Sequence, residues 1–268
     1  MHEILGNLRT GSIVLDLGCR AGSFPPDSTS ARVVRVDREL PSTREAGAGF
    51  VQADAAQLPF ASQTFAAVIL NHSLEHFDDL AGALQEIGRI IAPSGSLFVA
   101  VPDASTLTDR LYRWLAKGGG HVNSFTSLNE TKALIERATG LRHVATRVLY
   151  SSLSFLNRCN SPLPVPWRSV PLGAGYEWSL LLYAWLSRRL DRYLNMRTGV
   201  YGWAFYFGRI ATPIDTCAWV NVCLRCGGGC SAVVLRRRSL VRLKLLGLRV
   251  WECPACGASN SFADDPSD

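Results

Sequence analysis

A short apolar run, Ile13-Val14-Leu15-Asp16-Leu17, ends abruptly in Gly18-Cys19-Arg20-Ala21-Gly22, and this junction most limits the folds open to the chain. An apolar run of that length closed by glycine reads as a strand buried on both faces. Glycines at 18 and 22 read as a strand-to-helix turn whose backbone can approach a ligand closely. Similar runs follow at Val33 to Asp37, Phe50 to Ala53, Ala67 to Leu70 and Gly95 to Val101. Between the last two, Leu80, Leu84, Ile87, Ile90 and Ile91 recur at helical spacing in a segment that opens at Asp79 and stops before Pro93. Strands alternating with helices predict an α/β fold with a doubly wound, mostly parallel sheet.

Further along, Ser127-Leu128-Asn129-Glu130 has the form of a capping box, so a helix is expected from there to about Thr139, with Gly140 as its stop. Leu141 to Val148 and Val200 to Phe207 read as two more strands, which would bring the sheet to seven and complete one edge. The excursion between them, 149–198, opens with loop chemistry around Pro162, Pro164, Pro166 and Pro171. It continues as a helix from about Tyr176 to Leu194, whose last turns carry Arg188, Arg189 and Arg192. Trp178, Leu181, Leu182, Trp185 and Leu186 are too many large apolar groups for a surface helix and too few to span a bilayer. They are expected to bury against the sheet domain, a second chain, a membrane surface or an apolar substrate, making the excursion a helical cover over an acceptor pocket. The expected organisation is a sheet domain over 1–212, a cysteine-rich module over 213–263 and a disordered tail over 264–268. The chain has 268 residues, 47% of them apolar, and a net charge of +6 that permits anionic partners without demanding them. No secretory signal opens it and no apolar run reaches eighteen residues, so a cytoplasmic protein with reduced thiols is expected.

Asp37 ends the second strand, where a carboxylate can take both hydroxyls of a ribose. Four signals then stand in order: the turn from Asp16 to Gly22, Asp37, the segment Gln52 to Phe60, and Leu70 to Phe77 with Glu86 to Gly95. Together they resemble the class I S-adenosylmethionine-dependent methyltransferases, and within them the ubiquinone-biosynthesis-like, type 11 group. The resemblance covers Gly11 to Asp103 and extends weakly to Val148. It implies a Rossmann-like sheet and S-adenosylmethionine held by Asp16, Gly18, Gly22, Asp37, Asp54, Ala55 and Asn71. Arg20 stands where that family has glycine, Ala66 and Ser94 replace two other usual residues, and Pro25-Pro26 should shorten the first helix.

Methyl transfer needs alignment and, for many acceptors, a base. His72 and His121 are the candidate catalytic residues, since both should lie at the carboxyl edge of the sheet; His76 reads as a structural hydrogen-bonding group. The chain lacks the Asn/Asp-Pro-Pro-aromatic run of base-methylating enzymes and a Pro-Cys nucleophile pair. This favours O-, C- or aliphatic N-methylation of a small or lipid-like acceptor, with peripheral membrane contact as one way to meet it. Two other readings stay open: an RNA methyltransferase that grips its substrate through a basic module, and a non-catalytic binding relative.

The eight cysteines are unevenly placed. Cys223-Leu224-Arg225-Cys226-Gly227 and Cys253-Pro254-Ala255-Cys256-Gly257 are two C-x-x-C-G knuckles, the four-sulfur set that structural Zn²⁺ prefers. They resemble a zinc ribbon, with Cys217 and Cys230 as spares. Between them Arg236, Arg237, Arg238, Arg242, Lys244 and Arg249 alternate with apolar residues, which reads as strands with one basic face, either solvated or in contact with phosphate.

Overall fold

A computed structural model describes residues 1–39, 41, 47–115, 120–160, 173, 175–243 and 249–264. Pro162 to Pro171, Lys244 and the end of the expected tail, 265–268, lie outside them. Strands β1 (Ile13–Leu17), β2 (Arg32–Asp37), β3 (Ala48–Gln52), β4 (Phe65–Asn71), β5 (Ile91–Pro102), β6 (His143–Tyr150) and β7 (Val200–Gly208) form one sheet in the order β3-β2-β1-β4-β5-β7-β6. β1 pairs in parallel with β2 and β4, β2 with β3, and β4 with β5. The apolar residues of the central strands, Val14, Leu15, Ala67, Val68, Ile69 and Leu70, are fully buried, as helix-covered parallel strands must be. This is the Rossmann-like, doubly wound arrangement that the motif order implied.

Local chemistry sets the helices. In α2 (Leu80–Ile90) the Asp79 carboxylate accepts from the Gly82 amide at 2.9 Å, and Ala83, Leu84, Ile87 and Ile90 turn inward. In α4 (Leu128–Thr139) Ser127 Oγ accepts from the Glu130 amide, and Gly140 closes the helix at φ +72°. Between β1 and β2 no full helix forms among the described residues, only one 3-10 turn over Pro26–Ser28, in keeping with the Pro25-Pro26 pair.

The described residues divide into two compact units. The first comprises Met1–Pro102, Gly120–Thr146 and Trp203–Thr216; the second comprises Asp103–Gly119, Arg147–Gly202 and Cys217–Asp268. In the second, α5 (Glu177–Leu194) buries Leu180 and Ala184, and Leu180 packs with Leu115, Leu153, Leu156 and Leu224. Its cysteine-rich part holds β8 (Asn221–Val222), β9 (Gly229–Cys230), α6 (Ala232–Arg237), β10 (Val241–Leu243), β11 (Arg249–Glu252) and β12 (Ser259–Ser261). Among the described residues the strand reading of the basic stretch therefore holds only at Val241–Leu243 and Arg249–Glu252. Residues 232–237 are helical because Ser231 Oγ accepts from the Val234 amide and the buried pair Ala232 and Leu235 lies three apart, a helix spacing. Among the described residues no helix is long and apolar enough to cross a membrane.

Candidate cofactor site and thiol cluster

The turn after β1 is shaped by side chains from distant strands. Gly18 sits at φ +67°, and a Cβ there would lie 2.6 Å from Ser73 Cβ. Gly22 sits at φ +137°, and a Cβ there would land on the Arg35 guanidinium. Arg35, almost fully buried in β2, donates to the carbonyls of Ala21 and Phe24 at 2.8 Å each and lies 3.7 Å from the Asp16 carboxylate. Asp16 also accepts from the Ser23 amide at 2.8 Å; burial pushes its carboxyl up while that amide and Arg35 pull it down. Both glycines thus serve the fit of the turn to its neighbours as much as any approach to a ligand. A signal for Arg35 existed: Asp16 and Arg35 each interrupt an apolar strand, and the two are register partners.

Arg20 occupies the family's glycine position in the left-handed region at φ +49°, so glycine is the unstrained choice there. Its amide donates to Asp37 Oδ2 at 2.7 Å, and the Glu39 amide donates to Asp37 Oδ1 at 3.2 Å. These two bonds leave about half of a carboxylate's acceptor positions for a ligand diol. The neighbouring Arg38 spans to Asp54 at 3.1 Å and Asp78 at 2.7 Å, joining the β2 end to the predicted adenine-side carboxylate. Asp54 Oδ1 accepts from the Ala56 amide, which with Arg38 holds the carboxyl below its usual range. Ala55 is buried, and Asn71 is the half-buried last residue of β4. Burial and the nearby Asp16 and Asp37 push the Cys19 thiol up to about 12, which rules out a ready nucleophile.

Past β4 the structure brings three imidazoles and a carboxylate together. His72, at φ +58°, has its Nδ1 3.8 Å from Glu75 Oε1. The rings of His76 and His121 meet edge to face with centroids 4.9 Å apart. One donor atom each from Glu75, His76 and His121 lies within 4.8 Å of the others, a spacing that could hold one cation between them. His76 Nδ1 is 2.9 Å from the Gly120 carbonyl oxygen, which accepts only if Nδ1 carries the proton, so in the neutral ring Nε2 is the unprotonated nitrogen. Desolvation first, then His121 and His76, push the His72 imidazole down to about 4; desolvation also lowers His76. The loop that carries His121 is clamped by a residue the sequence did not flag. Asn123 Nδ2 donates to the carbonyls of Leu74 and Phe77 at 3.1 and 2.7 Å, and the amides of Val122 and Asn123 both donate to the Glu75 carbonyl. An Asn that clamps a loop to carbonyls 46 and 49 residues away has no sequence signature beyond its residue type.

The four knuckle cysteines, Cys223, Cys226, Cys253 and Cys256, place their sulfurs within 4.8 Å of one another, with contacts of 3.5 and 3.6 Å across the two knuckles. A tetrahedron with sulfurs about 2.3 Å from its centre has edges of about 3.8 Å. Gly227 and Gly257, at φ +73° and +71°, let their amides turn back to the carbonyls of Cys223 and Cys253. The predicted spares Cys217 and Cys230 lie outside this cluster.

The methyltransferase domain family matches residues 1–145, more than half of the chain. The chain is 29% identical over 179 residues to a demethylmenaquinone methyltransferase of Corynebacterium kroppenstedtii, a match covering 58% of this chain and 78% of that one. It is 25% identical to a malonyl-[acyl-carrier protein] O-methyltransferase of Yersinia pestis over 54% of this chain and 57% of the relative. Among solved structures, a candidate methyltransferase of an antibiotic biosynthesis pathway from Anabaena variabilis superposes with a TM-score of 0.50 at 19% identity, covering 76% of this chain and 93% of that one, and shows the common fold. The chain belongs to the methyltransferase domain family, and its class is that of the S-adenosylmethionine-dependent methyltransferases.

Proposed function

We propose that this chain methylates a small or lipid-like acceptor at oxygen, carbon or aliphatic nitrogen, with its acceptor site beside the His72–Glu75–His76–His121 cluster. The observation that carries this reading is that cluster's place at the carboxyl edge of the sheet, next to the Gly18 turn, where Ser73 and Phe77 abut Gly18. The residues present fit S-adenosylmethionine: the turn exposes its backbone, and the Asp37 carboxylate keeps acceptor capacity at the end of β2. Asp16 orders the turn through the Ser23 amide, Gly18 and Gly22 let the chain pass, and Asp54, Ala55 and Asn71 line the adenine side. When bound, the cofactor supplies an electrophilic methyl group on a sulfonium.

The protein's own part is to orient the acceptor, exclude water and hold a proton. His121 is assigned as the group that takes the acceptor's proton. His72, neutral through the physiological range, accepts a hydrogen bond rather than a full charge. Glu75 balances the proton while it resides on the cluster, and Asn123 holds the His121 loop in place. Two relatives support this chemical class, being named as methyltransferases of demethylmenaquinone and of a malonyl-[acyl-carrier protein]. A nucleic-acid acceptor is less favoured because the chain lacks the Asn/Asp-Pro-Pro-aromatic run of base-methylating enzymes. Cys223, Cys226, Cys253 and Cys256 fit one structural Zn²⁺ with no open position, so the metal is assigned to folding.

The test is incubation of protein with isotopically methyl-labelled cofactor and fractionated lipid and metabolite extracts, read by mass spectrometry. Label should enter a small apolar product, and His121→Ala should slow its formation by about 10²-fold or more while cofactor affinity stays the same. Label appearing only in RNA would overturn this reading.

A further inference from the structure

Within the second unit, α5 leaves a row of large groups uncovered. Trp178, Leu182, Leu186 and Tyr193 are 64%, 52%, 46% and 74% exposed, and their spacing of four and seven puts them on one helix face. Directly beside this face opens a pocket of about 200 Å³ lined by Trp185, Arg189, Arg192, Tyr193, Arg249 and Phe262, with Asp264 among its walls. Arg188 also lines it and is held in place by donating to the carbonyls of Val220 and Ser151 and to Ser187 Oγ.

Asp264 is the focus of the pocket. Arg192 Nη1 stands 3.3 Å from its Oδ2, Arg249 Nη1 stands 3.0 Å from its Oδ1, and Arg236 also pairs with it. Arg249 first, then Arg236, hold the Asp264 carboxyl down to about 2. Three guanidiniums carry +3 against the −1 of this carboxylate, leaving two positive charges. They also offer far more N–H donors than one carboxylate can accept. In the place of that carboxylate a phosphate monoester brings two negative charges and three acceptor oxygens, one charge and one oxygen more than Asp264 supplies. Arg189 lies over the Trp185 ring at 4.0 Å, so a further cation is held at the border between the pocket and the apolar face.

We propose that this face of α5 and the arginine pocket together dock an anionic phospholipid surface, with a lipid phosphate taking the place of the Asp264 carboxylate. Trp178, Leu182 and Leu186 enter the acyl boundary, and Arg189, Arg192 and Arg249 meet the headgroup, the division of labour of an interfacial helix. Asp264 is the internal stand-in that satisfies the arginines while no lipid is bound. The inference does not depend on the identity of the methyl acceptor.

Co-sedimentation of the full chain with vesicles tests it, comparing phosphatidylcholine alone with phosphatidylcholine containing one-fifth phosphatidate. The protein should bind the phosphatidate vesicles at least tenfold more tightly. Arg192→Ala and Arg249→Ala should each weaken that binding by about fivefold, and Asp264→Asn should strengthen it. Leu182→Ser combined with Trp178→Ser should abolish it with the arginines intact. Glycerol phosphate at millimolar concentration should compete, showing that the pocket reads the phosphate itself. Circular dichroism and metal content of each variant separate a lost site from a lost fold; if Asp264→Asn unfolds, the two arginine variants decide. Equal binding to both vesicle types, no binding to either, or a dimer in sedimentation velocity that Leu182→Ser dissolves would overturn the proposal.

Discussion

Two turns of this molecule use glycine in the same backbone region for opposite reasons. In the Asp16–Gly22 turn the space beyond each glycine is full, with Ser73 and Phe77 against Gly18 and Arg35 against Gly22. In the second thiol knuckle the space beyond Gly257 is open, and only its φ of +71° calls for glycine. The first turn is therefore a product of long-range packing, and it inherits the rigidity of the strands that supply Arg35 and Ser73. The second is a product of local geometry, and its persistence depends on what joins the two knuckles. A cofactor site made the first way can be fixed to a fraction of an ångström before any ligand arrives.

The largest break in this comparison should come from the thiols. Cys253→Ser should remove the metal, a loss on the order of 10 kcal/mol of folding free energy for the cysteine-rich part. Metal analysis should give a ratio near one for the parent and near zero for the variant, with cofactor affinity unchanged. Next come the glycines themselves. Gly22→Ala should cost about 3 kcal/mol, because the new methyl group displaces Arg35 as well as straining φ, whereas Gly257→Ala should cost about 1 kcal/mol. Urea unfolding of the two variants, with zinc in excess, measures the contrast; equal losses would erase the distinction between the turns.

A smaller effect concerns acid. The folded value of His72, about 4, lies below its ordinary 6.5, so as pH falls the unfolded chain takes up the proton first. Stability should hold above pH 6.5 and drop as pH falls from there toward 4. In His72→Asn, which tolerates the left-handed backbone, thermal melts should show a flatter acid limb. The smallest expected change is a gain: Arg20→Gly should relieve the φ of +49° and, after glycine's greater freedom in the unfolded chain is offset, stabilise the chain by about 0.5 kcal/mol.

What could be read in advance follows the same division. The strands, the helix that opens at Asp79, the capping box at Ser127 and the thiol knuckles were legible because each is written in residues close in sequence. The short helix at Ala232–Arg237 was not, since six residues of alternating character fit either period until Ser231 is seen to cap them. Of the candidate site, Asp37, His72 and His121 could be named, but not the company they keep. Asn123 clamping the His121 loop and Arg192, Arg236 and Arg249 meeting at Asp264 are pairings between residues far apart in the chain, and Glu75 meets His72 only through the left-handed turn at His72; periodicity encodes neither.

The account stands on cofactor binding at the packed turn, and calorimetric titration of S-adenosylmethionine into the parent chain and Asp37→Ala tests it most directly. The parent should bind one equivalent, and the variant should bind about a hundredfold more weakly, the 2–3 kcal/mol of a lost charge-assisted pair. A parent that takes up no cofactor, or a variant that binds as tightly as the parent, would contradict it.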